Sequence, residues 1–273
     1  MKTVAKISGT YVDVRGVRTY VERCGAGQSV LCLHTAGRDS RQWHWLMQEL
    51  ASDFELVAFD YPGHGKSWPL PGNRCIEEAE QLCDFIWGVA QAAGLRRPVI
   101  TGCSVGGNLT LMMGARHSGE LRAIVPMQGA DFTPSISRAA LDLMDHPHVS
   151  LPHFNREQST SLAGRAALPE AYDLVEWTAF QLSGKTLGAD LKIYTAIDIR
   201  DRMADVRCPV LMIRGEDDWL VSQAMVDDTV GRLVNARPLE VLRLPGIGHY
   251  APMEAPEAVG SAIRKFMAKL PSA

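Results

Sequence analysis

The sequence contains no apolar run that approaches the roughly 18 residues needed to cross a bilayer. Its first residues lack the apolar core of a secretory signal, so we expect a cytoplasmic protein. Lys and Arg are scattered along the chain and the formal net charge is only −3, which argues against a nucleic-acid or membrane partner. These features favour a globular protein and predict nothing about its oligomeric state.

Recognised metal-binding motifs are also missing. Neither Cys-x-x-Cys nor His-Glu-x-x-His occurs, so we expect no structural or catalytic metal. The six cysteines lie at unrelated spacings, and Cys32, Cys103 and Cys208 fall inside or at the ends of apolar runs. Free thiols in a reducing cytoplasm explain this pattern better than disulfides do.

The hydrophobic pattern predicts an α/β fold. A chain of 273 residues is long enough for one large domain. Two alternating segments near the N-terminus, 9–14 and 18–22, predict an antiparallel pair at a sheet edge. Continuous apolar runs then alternate with helical segments, which is typical of parallel strands buried on both faces. These runs are 29–33, 54–59, a run that begins at Val99, 121–127, 209–214 and 239–244.

The pattern changes between residues 131 and 205, where strand-like runs give way to short helical pieces such as 168–182 and 189–200. We expect a helical cap above the carboxyl edge of the sheet, with aromatic side chains on its inner face. The alternative is an ordinary set of peripheral helices whose aromatics are simply part of the core. The predicted division is a core of residues 1–130 plus 206–273 and a cap of residues 131–205.

The segment Gly102-Cys103-Ser104-Val105-Gly106 joins an apolar, β-branched run to a predicted helix at 108–116. In this context Gly-x-Ser-x-Gly is typical of a nucleophile elbow, a strained turn that exposes the serine hydroxyl. The two glycines leave room for that turn because they have no Cβ. The same pentapeptide also occurs in ordinary turns, so other residues must decide between the two interpretations.

A serine nucleophile needs a base that is itself oriented by a third group. His249 is the candidate base, since it follows the last predicted strand on a glycine-containing loop. Three acids follow strands between the serine and the histidine: Asp131, Asp217 and Asp218. We favour Asp218. The order Ser…Asp…His differs from the orders of chymotrypsin and subtilisin.

Acyl transfer also requires hydrogen-bond donors for the developing oxyanion. The backbone N–H of Val105 is one candidate, because it opens the helix after Ser104. The second is the N–H of Ala36, in the loop His34-Thr35-Ala36-Gly37 after an apolar strand. His34 is expected to brace this loop. Six side chains are predicted to contact the substrate: Thr35, Cys103, Trp177, Phe180, Trp219 and Tyr250.

Taken in order, five motifs resemble those of the α/β-hydrolase superfamily, in its branch of single-domain enzymes with a helical cap. The motifs are the loop 34–37, Asp60-Tyr61-Pro62-Gly63-His64-Gly65-Lys66-Ser67, Gly102-Cys103-Ser104-Val105-Gly106-Gly107, Gly215-Glu216-Asp217-Asp218 and Gly248-His249. The resemblance implies an eight-stranded, mostly parallel sheet with helices on both faces and a helical cap. It also implies Ser104 as nucleophile, His249 as base and Asp218 as acid, without a cofactor.

The resemblance also limits the reaction. Ser104 argues against haloalkane dehalogenases and epoxide hydrolases, which carry Asp at this position. The leading hypothesis is hydrolysis of a small carboxylic ester or lactone. Alternatives are hydrolytic C–C cleavage of a ring-fission diketone, perhydrolase- or haloperoxidase-like chemistry, and a binding protein without turnover. Diketone-cleaving relatives commonly have Asn and Trp where Cys103 and Tyr250 stand here, and Thr35 replaces a glycine usual in the family.

Overall fold

A computed structural model describes residues 4–134 and 148–271 of the chain. Its strands are β1 (Ser8–Val14), β2 (Val17–Gly25), β3 (Gln28–Leu33), β4 (Phe54–Phe59), β5 (Val99–Cys103), β6 (Ala123–Met127), β7 (Val210–Gly215) and β8 (Leu239–Leu244). They form one sheet in the order β1-β2-β4-β3-β5-β6-β7-β8. β2 pairs antiparallel with β1 and β4, and all other neighbouring strands are parallel. The predicted fold class is confirmed.

The helices cover both faces of this sheet. The described α-helices are α1 (His44–Leu50), α2 (Ala79–Ala92), α3 (Val105–His117), α4 (Leu151–Ser161), α5 (Pro169–Ala179), α6 (Gly184–Ala196), α7 (Gln223–Arg232), α8 (Ala251–Glu254) and α9 (Pro256–Ala268). Short 3₁₀ helices occupy Ser40–Trp43 and Arg200–Asp205. Within these described segments, no helix is long and apolar enough to cross a membrane.

The inner strands are apolar along their length because both of their faces are covered. On β4, Val57 belongs to the core layer with α2 and α3, whereas Leu56 belongs to the layer with α1 and α9. Both side chains are fully buried. Burying such a side chain contributes about 1.5–3 kcal/mol, so each layer holds its helices against the sheet. All six cysteines are free thiols, and five of them are buried.

The strand order places a crevice beside β3. β4 and β5 pair with opposite edges of β3, so the chain moves in opposite directions across the sheet on either side of this strand. At such a switch point, the loops at the carboxyl ends of the strands separate and leave a binding crevice. The loop after β3 carries Ala36 and the turn after β5 carries Ser104.

Helices α4, α5 and α6 lie between β6 and β7 in the chain and contact the loops at this carboxyl edge. The carbonyl of Leu162, just after α4, accepts a hydrogen bond from the backbone N–H of His249 at 2.8 Å. Helix α6 begins at Gly184 rather than at the predicted residue 189, because the side chain of Ser183 caps it. The proposed boundaries of the cap stay a prediction.

Candidate active site

Ser104 occupies a strained turn between β5 and α3. Its backbone has φ 61° and ψ −124°, a conformation that non-glycine residues rarely adopt. The N–H of Ser104 donates to the carbonyl of Met127 at 3.0 Å, which ties the turn to the neighbouring strand. The predicted helix therefore begins at Val105, directly after the serine.

Glycine is required on both sides of this turn. A Cβ added to Gly102 would lie 2.1 Å from the carbonyl oxygen of Gly106, and one added to Gly106 would lie 2.3 Å from that of Leu33. A Cβ on Gly107 would likewise approach the Met127 carbonyl oxygen to 2.4 Å. The motif's glycines thus allow backbone to approach backbone, which is what permits so tight a turn at the sheet edge.

His249 and Asp218 meet in the interior. The Nδ1 atom of His249 lies 2.8 Å from Oδ2 of Asp218, and both side chains are almost completely buried. The other oxygen, Oδ1, accepts the backbone N–H groups of Leu220 at 2.9 Å and Val221 at 3.1 Å. With Nδ1–H donating to the carboxylate, Nε2 of His249 keeps its lone pair and can accept a proton.

The two other candidate acids are engaged elsewhere. Asp217 forms a salt bridge with the exposed Arg165, at 2.8 Å. Asp131 accepts from the hydroxyl of Thr229 at 3.0 Å and pairs with Arg232 at 3.1 Å. Only Asp218 of these three bonds to His249.

The loop after β3 leaves the amide of Ala36 unused among the described residues. The N–H of Thr35 donates to the side chain of Gln42 at 2.9 Å, and that of Gly37 donates to the Asp190 carboxylate at 2.7 Å. Between them, the N–H of Ala36 has no acceptor among the described residues, and Ala36 lines the same cavity as Ser104. The N–H of Val105, at the start of α3, also has none in this part of the chain.

His34 braces this loop from beneath. Its Nδ1 lies 2.9 Å from the carbonyl of Thr35, and its Nε2 accepts the N–H of Tyr61 at 3.1 Å. Burial lowers the pKa of His34 to about 4, which keeps the ring neutral. A neutral ring has one donor and one acceptor nitrogen, and both are occupied here.

Ser104 and His249 line one cavity of about 190 Å³. A cavity of roughly 150 Å³ holds a molecule the size of benzene, so this one suits a small substrate. Thr35, Trp219 and Tyr250, three of the predicted contact residues, also line it. Among residues 4–134 and 148–271, no cluster of His, Cys, Asp or Glu could hold a metal ion.

Three other predicted contact residues do not line this cavity. Cys103 is fully buried, and its thiol donates to the carbonyl of His249 at 3.0 Å. Trp177 is 49% exposed beneath the guanidinium of Arg41, and Phe180 is 44% exposed against His153. These two aromatics are turned away because the buried positions of α5 are Ala171, Val175, Thr178 and Ala179.

A model of the alpha/beta hydrolase family matches residues 30–262. The chain belongs to the alpha/beta hydrolase family. The family inferred from the five motifs is therefore confirmed.

Known proteins similar to this alpha/beta hydrolase include several hydrolases. The 2-(acetamidomethylene)succinate hydrolase of Mesorhizobium japonicum is 28% identical over 271 residues, which cover 94% of each chain. The enol-lactonase of Burkholderia xenovorans has a TM-score of 0.84 and 17% identity, over 95% of this chain and all of that one. A thermophilic esterase of Thermogutta terrifontis has a TM-score of 0.82 and 20% identity, over 96% of this chain and 98% of that one. The two structures show a shared fold.

The structure adds cavity residues of this hydrolase that the sequence analysis missed: Arg38, Phe154, Asn155, Leu187, Leu191 and Tyr194. Phe154 and Asn155 lie on α4, a helix that was not predicted. Its start was nevertheless visible in the sequence, since Ser150 and Pro152 are typical residues for a cap and a first turn.

A buried contact links helix α6 to the loop after β3 of this hydrolase. Oδ2 of Asp190 accepts a hydrogen bond from the backbone N–H of Gly37 at 2.7 Å. It also lies 3.0 Å from Nε2 of His64, which donates to it. Burial opposes charge on His64, but the Asp190 carboxylate outweighs it, so the pKa of His64 lies above its ordinary value. Asp190 therefore holds the residue next to Ala36 in place.

Proposed function

We propose that this alpha/beta hydrolase cleaves a small carboxylic ester or lactone through an acyl-enzyme on Ser104. The supporting observation is the buried 2.8 Å contact between His249 and Asp218, in a site where His249 and the strained Ser104 line one cavity. An ordinary structural turn would not require a serine at positive φ that shares a cavity with an oriented imidazole.

In the proposed reaction, Oγ of Ser104 attacks the carbonyl carbon while its proton passes to Nε2 of His249. The N–H groups of Ala36 and Val105 stabilise the resulting oxyanion. Collapse of this intermediate breaks the C–O bond, and His249 returns the proton to the leaving alkoxide. A water molecule, deprotonated by His249, then attacks the acyl-enzyme; the acid is released and Ser104 regains its proton.

The serine mechanism can be tested with a fluorophosphonate probe. We expect the purified protein to be labelled once, on Ser104, and to hydrolyse p-nitrophenyl acetate and butyrate. Comparing a dienoate diketone with a matched ester separates C–O from C–C hydrolysis, since both reactions would use the same triad. A folded protein that is not labelled and shows no turnover would instead indicate a binding protein on this fold.

The compartment proposed for this reaction is the cytoplasm. Five buried free thiols are stable in a reducing environment, where disulfides are rare.

Asp190→Asn is expected to lower kcat on p-nitrophenyl butyrate by about tenfold, with a smaller change in KM. Both donors bond to one oxygen, Oδ2, and the amide oxygen that replaces it carries no negative charge. The bonds from Gly37 and His64 therefore weaken, and the Ala36 donor is held less firmly. Steady-state kinetics measures the effect. Asp173→Asn, on the exposed surface of α5, is the matched control and should behave as wild type. Equal kcat in folded Asp190→Asn would contradict this positioning role.

A further inference from the structure

Arg38 is a buried cation without an acidic partner in the described part of the chain. The residue is only 3% exposed and lines the cavity of Ser104 and His249. Its Nη1 donates to the hydroxyl of Thr178 and, at 3.4 Å, to the carbonyl of Val175. Its guanidinium carbon lies 4.7 Å from the ring centre of Tyr250. Its Nη2 is buried and has no hydrogen-bond partner among residues 4–134 and 148–271.

Two other buried arginines, Arg122 and Arg214, also lack an ion pair among the described residues, but neither leaves a buried nitrogen without a partner there. Three arginines nearer the surface show the usual arrangement. Arg41 pairs with Asp39, Arg165 with Asp217 and Arg200 with Asp198. Arg38 is more deeply buried than these arginines. In the protein interior a lone charge is most unfavourable, because water no longer solvates it. A ligand that brings a negative charge to Nη2 would offset this cost.

Asn155 is a second residue of the same cavity that carries an unused donor. It belongs to helix α4, whereas Arg38 belongs to the loop after β3. Asn155 is 2% exposed, and its Nδ2 is buried without a hydrogen-bond partner in the described segments. No Asp or Glu occurs among the described residues that line this cavity. Two residues that each carry an unsatisfied buried donor therefore line a cavity with no Asp or Glu among its described lining residues.

These donors match a carboxylate. A carboxylate has two oxygens that only accept hydrogen bonds, and a guanidinium is its usual partner. Arg38 is two residues from Ala36 in the chain, so their Cα atoms are at most about 7 Å apart. Because Ala36 and Arg38 also line one small cavity, a short substrate could reach both residues. The cavity of about 190 Å³ also favours a short molecule.

We propose that Arg38 and Asn155 form a carboxylate-binding subsite, and that the natural substrate is a short ester or lactone bearing a carboxylate. The proposal rests on the proposed ester hydrolysis at Ser104. Arg38 and Asn155 select the substrate by binding its carboxylate, whereas the triad carries out the chemical step.

The test compares monomethyl succinate with methyl levulinate, which has the same shape but a methyl group in place of the charged oxygen. We expect kcat/KM to be at least about tenfold higher for monomethyl succinate, the size of effect of a charge-assisted hydrogen bond. Arg38→Met should reduce the ratio of the two kcat/KM values about 10- to 100-fold, mainly through KM for the anionic ester. Because the ratio is taken within each variant, a general loss of activity cancels.

Arg38→Lys should retain part of the preference, since the charge remains but the planar fork is lost. Asn155→Leu should reduce the ratio by a smaller factor. Arg200→Met removes a surface arginine and is expected to leave the ratio unchanged. A wild-type ratio near one, or a ratio that Arg38→Met does not alter, overturns the subsite. If Arg38→Met fails to fold, the wild-type and Arg38→Lys ratios decide.

A binding measurement separates this proposal from the proposed function. Calorimetry on Ser104→Ala should show binding of succinate but not of the neutral succinamide, and adding Arg38→Met should abolish it. If no ester is hydrolysed but this binding is observed, ester hydrolysis is wrong and the carboxylate subsite stands. If esters are hydrolysed but succinate does not bind, the subsite is wrong.

Discussion

Replacing Ser104 with alanine should lower kcat on p-nitrophenyl butyrate by about 10⁴-fold or more, the scale seen when a serine nucleophile is removed. Without Oγ no acyl-enzyme can form, and the remaining donors at Ala36 and Val105 assist only direct attack by water. The fold should persist, because alanine fits the space of serine and the N–H of residue 104 can still donate to Met127.

Ser52→Ala is the matched control for this variant, since Ser52 is exposed on the loop before β4. It should keep wild-type kcat and wild-type reactivity toward a fluorophosphonate, whereas Ser104→Ala should not be labelled. Circular dichroism and thermal unfolding establish that each variant is folded. Undiminished turnover in folded Ser104→Ala would rule out Ser104 as the nucleophile.

Asp218→Asn should lower kcat by about 10⁴-fold, as when a triad carboxylate becomes an amide. Oδ1 already accepts two backbone N–H groups, from Leu220 and Val221, so an asparagine would keep its oxygen there. Its NH₂ group would then face Nδ1 of His249. The imidazole must respond by carrying its proton on Nε2, where it can no longer accept the proton of Ser104.

The neighbouring acid provides the control. Asp217→Asn makes the same chemical change one residue away, but its carboxylate bonds to the exposed Arg165. We expect kcat within about threefold of wild type for this variant, because exposed ion pairs contribute little. Measuring kcat, the pH–rate profile and thermal stability for both variants tests the assignment. Equal losses in the two, or a loss below about tenfold in Asp218→Asn, would contradict it.

The contact residues predicted from sequence had two different outcomes. Thr35, Trp219 and Tyr250 line the cavity, and each lies on a loop that follows a strand. Trp177 and Phe180 do not, although both were assigned to the inner face of a cap helix. The aromatic side chains were a poor guide because small residues, Ala171 and Ala179 among them, fill the buried side of α5.

The order of strands and motifs, together with the family resemblance that it carries, predicted the mostly parallel sheet and indicated the candidate triad. Parallel strands all end at the same edge, so the residues directly after β3, β5, β7 and β8 approach one crevice whatever covers it. The glycines beside Ser104 further mark the turn, because no other residue fits there.

The substrate pocket depended on the tertiary structure. Which face of α4 and α5 points inward is set by how these helices rotate and pack against the sheet, and hydrophobic periodicity does not determine that in short helices rich in polar residues. Nor does the sequence reveal that Arg38, four residues after His34, is buried without an acidic partner among the described residues. The order of strands and turns in the sequence therefore determined where the candidate nucleophile lies. The packing of distant segments determined which side chains line the cavity around it.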